Sequence, residues 1–309
     1  MKTRNKILAL LLAVTMPFSF TACGSQDKGG QSKQESQTSK DSASDADADA
    51  GDEKSAADIL ADAQAKMKDV KSMSAKMSME MDMEVEAGGE KQTLQTVTDM
   101  DMVCFYDPLK MKIDTTMDMG EMGSTTAQIY AQMDKKGNYT MYMTDGTQWQ
   151  SQSVQLEDLQ QYDAAKNIEE YLNADYNFEV QGTEQVDGKN AYKLVGKITG
   201  DEMKEVMLSS GAMDSLSSLN MDASQLESFM DGIGDIPIII WVDEESSYAV
   251  KYDIDMSAVM DALMSKMMES MAEQAQGGSI SVSKMKIQMT CGDYDAVEDF
   301  SIPKEAKKA

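Results

Sequence analysis

From residue 73 the chain alternates apolar and polar positions in segment after segment, separated by turn residues. A period of two puts every second side chain on one face of a strand, and it predicts half-buried strands over 73–85, 96–106, 109–119, 125–133 and 139–143. Gly88-Gly89, Asp107-Pro108, residues 120–123 and Lys136-Gly137-Asn138 supply the turns, so these strands read as an antiparallel meander. Asp145-Gly146 leads into a strand at 147–152. A second Asp-Gly pair, Asp187-Gly188, joins 177–186 to 189–199 as a hairpin, because such pairs accept the left-handed backbone of a tight turn. Residues 236–242 and 248–256 form another hairpin, and 279–291 is a last strand with Met285, Ile287, Met289 and Cys291 on one face.

Helical spacing appears in four places. Ser55 with Asp58 resembles a capping box, and Ile59, Leu60, Ala63, Met67 and Val70 follow at helical intervals. Leu156, Leu159, Tyr162, Ala165, Ile168 and Tyr171 predict a second helix, and Val259, Leu263, Met267 and Met271 a third. The stretch 200–234 carries Met203, Val206 and Met207, then Leu226, Phe229 and Met230; it reads as short mobile helices bounded by glycines. The expected class is α+β and mainly β, in a single domain over 55–309.

The N-terminus has a different pattern. MKTRNK is cationic, residues 7–20 are mostly apolar, and Thr21-Ala22 precede Cys23, which is the layout of a secretory signal peptide over 1–22. A cysteine at that point resembles the lipobox of bacterial lipoproteins, with Phe20 standing where leucine is usual. The resemblance implies a diacylglyceryl group on Cys23, which would become the mature N-terminus and fix the protein to the outer face of the cell membrane. An ordinary signal peptide cleaved nearby is the alternative. Residues 23–54 hold no large apolar side chain and predict a disordered acidic, serine-rich tether of about 30 Å root-mean-square span. Asp45, Asp47 and Asp49 imitate the start of a calcium loop, but Ala50 occupies the glycine position and Ala56 the position of the bidentate glutamate, so the run reads as solvated charge.

Composition removes several function classes. With 54 acidic against 28 basic residues, the formal net charge of −26 argues against nucleic acid and against broad contact with anionic head groups. No histidine is present, so neither a Ser-His-Asp site nor a histidine-held metal can be assembled. Phosphate-binding glycine motifs are missing, and Ser281 and Lys284 face opposite ways on a strand. No residue stands out as catalytic, no cofactor is called for, and a non-enzyme is expected. Cys104 and Cys291 read as buried thiols in preference to a disulfide.

Three phrases carry a resemblance: EQVDGKNAYKLVGKITGDEMKEVM at 184–207, IPIIIWVDEESSYAVKYDIDM at 236–256, and DFSIPKEA at 299–306. Together they are similar to the LolA-like, LprG-like and LppX-like bacterial lipoproteins, most of all a Gram-positive branch. The resemblance implies a strongly curved antiparallel sheet, an open half-barrel, with helices packed on the concave side around an apolar cavity. It also implies an amphiphile or lipid as ligand.

The chain has 30 methionines, many in Met-x-Met pairs. Met77, Met79, Met81 and Met83 form one row on the first strand; Met100 and Met102, then Met111 and Ile113, then Met141 and Met143 continue it on the strands that follow, with Leu194 beyond. The expected role is a cavity wall or filled core, since methionine is flexible and adapts to apolar chains of varied shape. Met203, Met207, Leu226, Phe229 and Met230 would then belong to a lid. Two other readings stay open. Soft thioethers select Cu(I), and Cys104 or Cys291 could join a methionine ladder. A sensor or scaffold on the same fold would instead recognise a protein partner through its edge strands or acidic face.

Overall fold

The computed structural model describes residues 54–87, 89–134, 136–159, 172, 177–202, 232, 234–270 and 278–309. The expected signal peptide, Cys23 and almost all of the expected tether lie outside the described residues. So do Met203, Met207, Leu226, Phe229 and Met230, and most of the predicted second helix.

The strands, in chain order, are β1 (Ser72–Ala87), β2 (Glu90–Tyr106), β3 (Leu109–Asp118), β4 (Ser124–Met133), β5 (Tyr139–Thr144), β6 (Trp149–Val154), β7 (Glu179–Val186), β8 (Lys189–Ile198), β9 (Ile236–Asp243), β10 (Ala249–Asp255) and β11 (Ser279–Gly292). They form one curved antiparallel sheet in the order β6-β5-β4-β3-β2-β1-β11-β10-β9-β8-β7. Two meanders are thus joined where the first strand pairs with the last, and the sheet stays unclosed between edges β6 and β7. Each strand lies at or within a few residues of its expected position. The largest difference is β2, which begins at Glu90: Lys91, Gln92, Thr93 and Gln95 show no apolar alternation, but pairing with Glu84, Val85 and Glu86 extends the strand. The Asp187-Gly188 hairpin has φ of 49° and 81°, as a turn with two left-handed residues requires.

The helices cover the concave face. In α1 (Ala56–Lys68), the Ser55 hydroxyl accepts the Asp58 N–H at 3.2 Å, and Ile59, Leu60, Ala63 and Met67 are buried against β8–β11 and the start of β1. Leu159, the last residue of α2 (Leu156–Leu159), is buried with β2–β6. The third helix, α3 (Ser257–Ser270), sets Met264 against Met81, Met83 and Val85 of β1 and Ile280 and Val282 of β11. Its start is tied to β11: the Ser257 hydroxyl accepts from the Met285 N–H at 2.8 Å, and Asp261 accepts from the Val282 N–H at 2.8 Å. That second bond serves the stretch where the β1–β11 register slips between Asp82 and Met83, and where the ladder alone leaves donors unmatched.

Gly196 on β8 lies where a side chain cannot. A Cβ there would come within 2.6 Å of the Phe178 ring, which is buried in the α1 cluster. Gly196→Ala is expected to destabilise the fold by about 1–3 kcal/mol through overpacking. A urea midpoint equal to wild type would show that the ring moves aside freely.

The C-terminal segment straps the convex face. Lys110 on β3 is hydrogen-bonded to Asp299 and to the Phe300 carbonyl, and its ammonium lies 4.4 Å from the centre of the Phe300 ring. Phe300 packs on Tyr130, Tyr130 on Trp149, and Ile302 and Ala306 are buried beneath the strap. The hydrogen bond from Lys110 holds the Asp299 carboxyl below its ordinary range. A depressed carboxylate stabilises the fold above its unfolded value, near 3.9, and that contribution is lost as pH falls through the lower folded value. Asp299→Asn should therefore lose stability less steeply than wild type below about pH 4 in urea titrations; parallel acid limbs would rule the pair out as a contributor.

Candidate functional site

Register places the expected site residues on one face. One row runs Leu194, Ile240, Tyr252, Met289, Met77, Met100 and Thr115 from β8 to β3. The next runs Ile254, Ile287, Met79, Thr98 and Met117. On the other side of the first row come Cys291, Ala75, Met102, Ile113, Ile129 and Met143, and then Met73, Cys104, Met111, Ala131 and Met141. Met81 and Met83 continue the same face toward the far end of β1.

Packing then divides these residues into two groups. Leu194 is buried in the α1 cluster; Met111, Ile113 and Met141 are buried in the β2–β6 cluster with Leu159; Met81 and Met83 are buried under α3. Met77, Met79, Met100, Met102 and Met143 remain half-buried. Met117 and Ile287 share that state. Met79 and Met117 pack on none of these clusters among the described residues. Met77, Met102 and Ile287 pack against the α1 cluster, and Met100, Met102 and Met143 against the β2–β6 cluster, so a half-buried stripe of thioethers edges the filled cores across the concave face, with Met79 and Met117 between them.

Three features of the stripe fix what it can do chemically. It carries no formal charge along the rows from Ile287 to Met117 and from Met289 to Met100, so it suits an apolar ligand. Its methionine side chains are unbranched and adaptable, so they can fit apolar groups of varied shape. At its middle, the Thr98 hydroxyl is buried and has no hydrogen-bond partner among the described residues.

Both described cysteines are buried thiols, as expected. They flank β1, Cys104 opposite Met73 and Cys291 opposite Ala75. An intervening strand sets their backbones about 10 Å apart, too far for a disulfide. Burial pushes the Cys291 thiol up to about 12, so it is protonated at neutral pH. Met73 and Met111 do flank Cys104 directly in one row, but that trio lies inside packed cores. Among the described residues, no group of three or more His, Cys, Asp or Glu could hold a metal.

The convex face is charged. Lys193, Trp241, Lys251, Thr290, Lys76, Asp101 and Asp114 stand in one row. The Lys251 ammonium lies 4.5 Å from the Trp241 ring centre, and the Trp241 indole N–H donates to Glu184 at 3.0 Å. Trp149 and Trp241 thus anchor packing on this outer side.

The sequence rows single out the methionines of this face but pass over Thr98, whose β-branched side chain reads simply as a strand former. The split between filled and half-filled methionines depends on which helix covers which strand end, and no strand alternation encodes that.

A family described as a family of unknown function, DUF6612, matches residues 55–309. No curated protein matches the sequence. Among solved structures, the chain is similar to the lipoprotein LppX of Mycobacterium tuberculosis, at 14% identity over 80% of this chain and 98% of that chain, with a TM-score of 0.42. It is similar to LprF of Mycobacterium bovis at 14% identity over 81% of this chain and 97% of that one, with a TM-score of 0.41. A LolA superfamily protein of Nitrosomonas europaea matches at 11% identity over 81% and 96% of the two chains, with a TM-score of 0.20.

Proposed function

We propose that this chain, which belongs to DUF6612, a family of unknown function, is an extracytoplasmic lipoprotein that binds or carries a lipid or other amphiphile. The half-buried methionines carry the reading: Met77 and Met100 edge two filled cores, and Met79 and Met117, on either side of Thr98, pack on no filled cluster among the described residues, where a domain with no ligand would be expected to fill its interior. Each ligand methylene removed from water on that stripe contributes about 0.8 kcal/mol. No covalent chemistry is involved. Cys23 would carry the diacylglyceryl anchor, and residues 24–54 would let the domain stand off from a surface that repels its net charge of −26.

A hydrocarbon dye tests the reading. Diphenylhexatriene titrated into the full chain, made by lipid-free cell-free synthesis, is expected to brighten saturably at a single site. Fluorescence that stays at the level of the dye in buffer would refute binding on this face.

A further inference from the structure

We infer that Thr98 is the polar hook of the site, donating its hydroxyl to the ester carbonyl of an acyl lipid lying along the methionine stripe; this rests on the binding reading above.

Thr98 is 3% exposed, and its Oγ1 has no hydrogen-bond partner among the described residues. Its direct cross-strand neighbours are Met79 and Met117, the half-buried methionines that pack on none of the filled clusters among the described residues. Thioether sulfur is at best a weak acceptor, so this surrounding cannot satisfy a hydroxyl. A buried donor left unmade costs stability, whereas valine would have the same shape at no such cost. An unpartnered polar atom of this kind in the middle of an apolar face indicates a partner that arrives with the ligand. The hydroxyl offers one donor, which matches an ester carbonyl: an acceptor set within an otherwise apolar molecule, and able to lie flat among thioethers. The position also fixes depth, because acyl carbons on either side of the carbonyl would run along the two methionine rows.

The test compares two ligands of similar length that displace diphenylhexatriene from the full chain: methyl palmitate, which has the carbonyl, and heptadecane, which does not. Thr98→Val is expected to weaken methyl palmitate roughly five- to tenfold and leave heptadecane unchanged, and Thr98→Ser is expected to restore the ester preference. Equal loss of both ligands, or loss of neither, overturns the hook. A stability arm separates this from the binding reading itself. In the lipid-free chain Thr98→Val should raise the melting temperature by roughly 2–4 °C, because it removes an unsatisfied buried hydroxyl without leaving a cavity. A fall would mean that the hydroxyl is bonded within the fold, and would overturn the proposal even if the dye binds. Failure of the dye to bind wild type alongside a raised melting temperature would sink the binding reading and the hook with it, while leaving the unpartnered hydroxyl established.

Discussion

Deletion of residues 299–309 is expected to cost the domain on the order of 5 kcal/mol, enough to leave much of it unfolded at 37 °C. The strap buries Ile302 and Ala306, half-buries Phe300, and covers Tyr130 on the convex side of β4. Burial of one large aliphatic side chain is worth about 1.5–3 kcal/mol, and removal of a packed aromatic ring about 3–5. Lys110 would lose Asp299 and the Phe300 carbonyl together, leaving its ammonium over bare aromatic surface. Urea unfolding followed by tryptophan fluorescence reads this directly, because Trp149 lies 5.8 Å from Tyr130 under the strap. Phe300→Ala should reproduce about half of the loss. A truncated chain with the wild-type midpoint would mean that the segment merely rests on the sheet.

The second large effect is on binding. Met79→Asp with Met117→Asp is expected to reduce diphenylhexatriene affinity at least thirtyfold, since a ligand covering both positions would have to desolvate two carboxylates. Both side chains are half-buried and outside the filled clusters, so the double variant should keep its sheet and most of its stability. Met111→Asp is the contrast: Met111 is fully buried, and a carboxylate there has no water and no partner, so the fold itself should fail. If the Met79 and Met117 pair unfolds the protein as Met111 does, the stripe is core. If it folds and binds dye like wild type, the ligand lies elsewhere.

Much of this was legible in the sequence because alternation is a local signal. Met77, Met79, Met81 and Met83 declare their face by spacing alone, and the Asp187-Gly188 hairpin declares its turn by the backbone it tolerates. The capped start of α1 at Ser55 was readable for the same reason. What the sequence hid is tertiary. The first residues of β2 are polar on both faces, and only pairing with β1 extends the strand to Glu90. The phrase at 299–306 was visible as a family resemblance, but its role as a strap over β3–β6 depends on a loop return with no periodicity. Thr98 was invisible as a site residue because only the absence of a partner marks it, and a partner is a property of the folded neighbourhood.

The central claim is that the methionine stripe is a binding surface, and the most direct measurement is a native mass spectrum of residues 54–309, which contain all four described hydrophobic clusters. The domain would be exported from a Gram-positive host, purified quickly, and weighed before and after denaturation. Lipid-sized adducts of several masses, lost on denaturation, are the predicted result. A bare mass under gentle conditions would contradict it and make the methionines core, and increments the size of copper would move the site to the thioethers around Cys104.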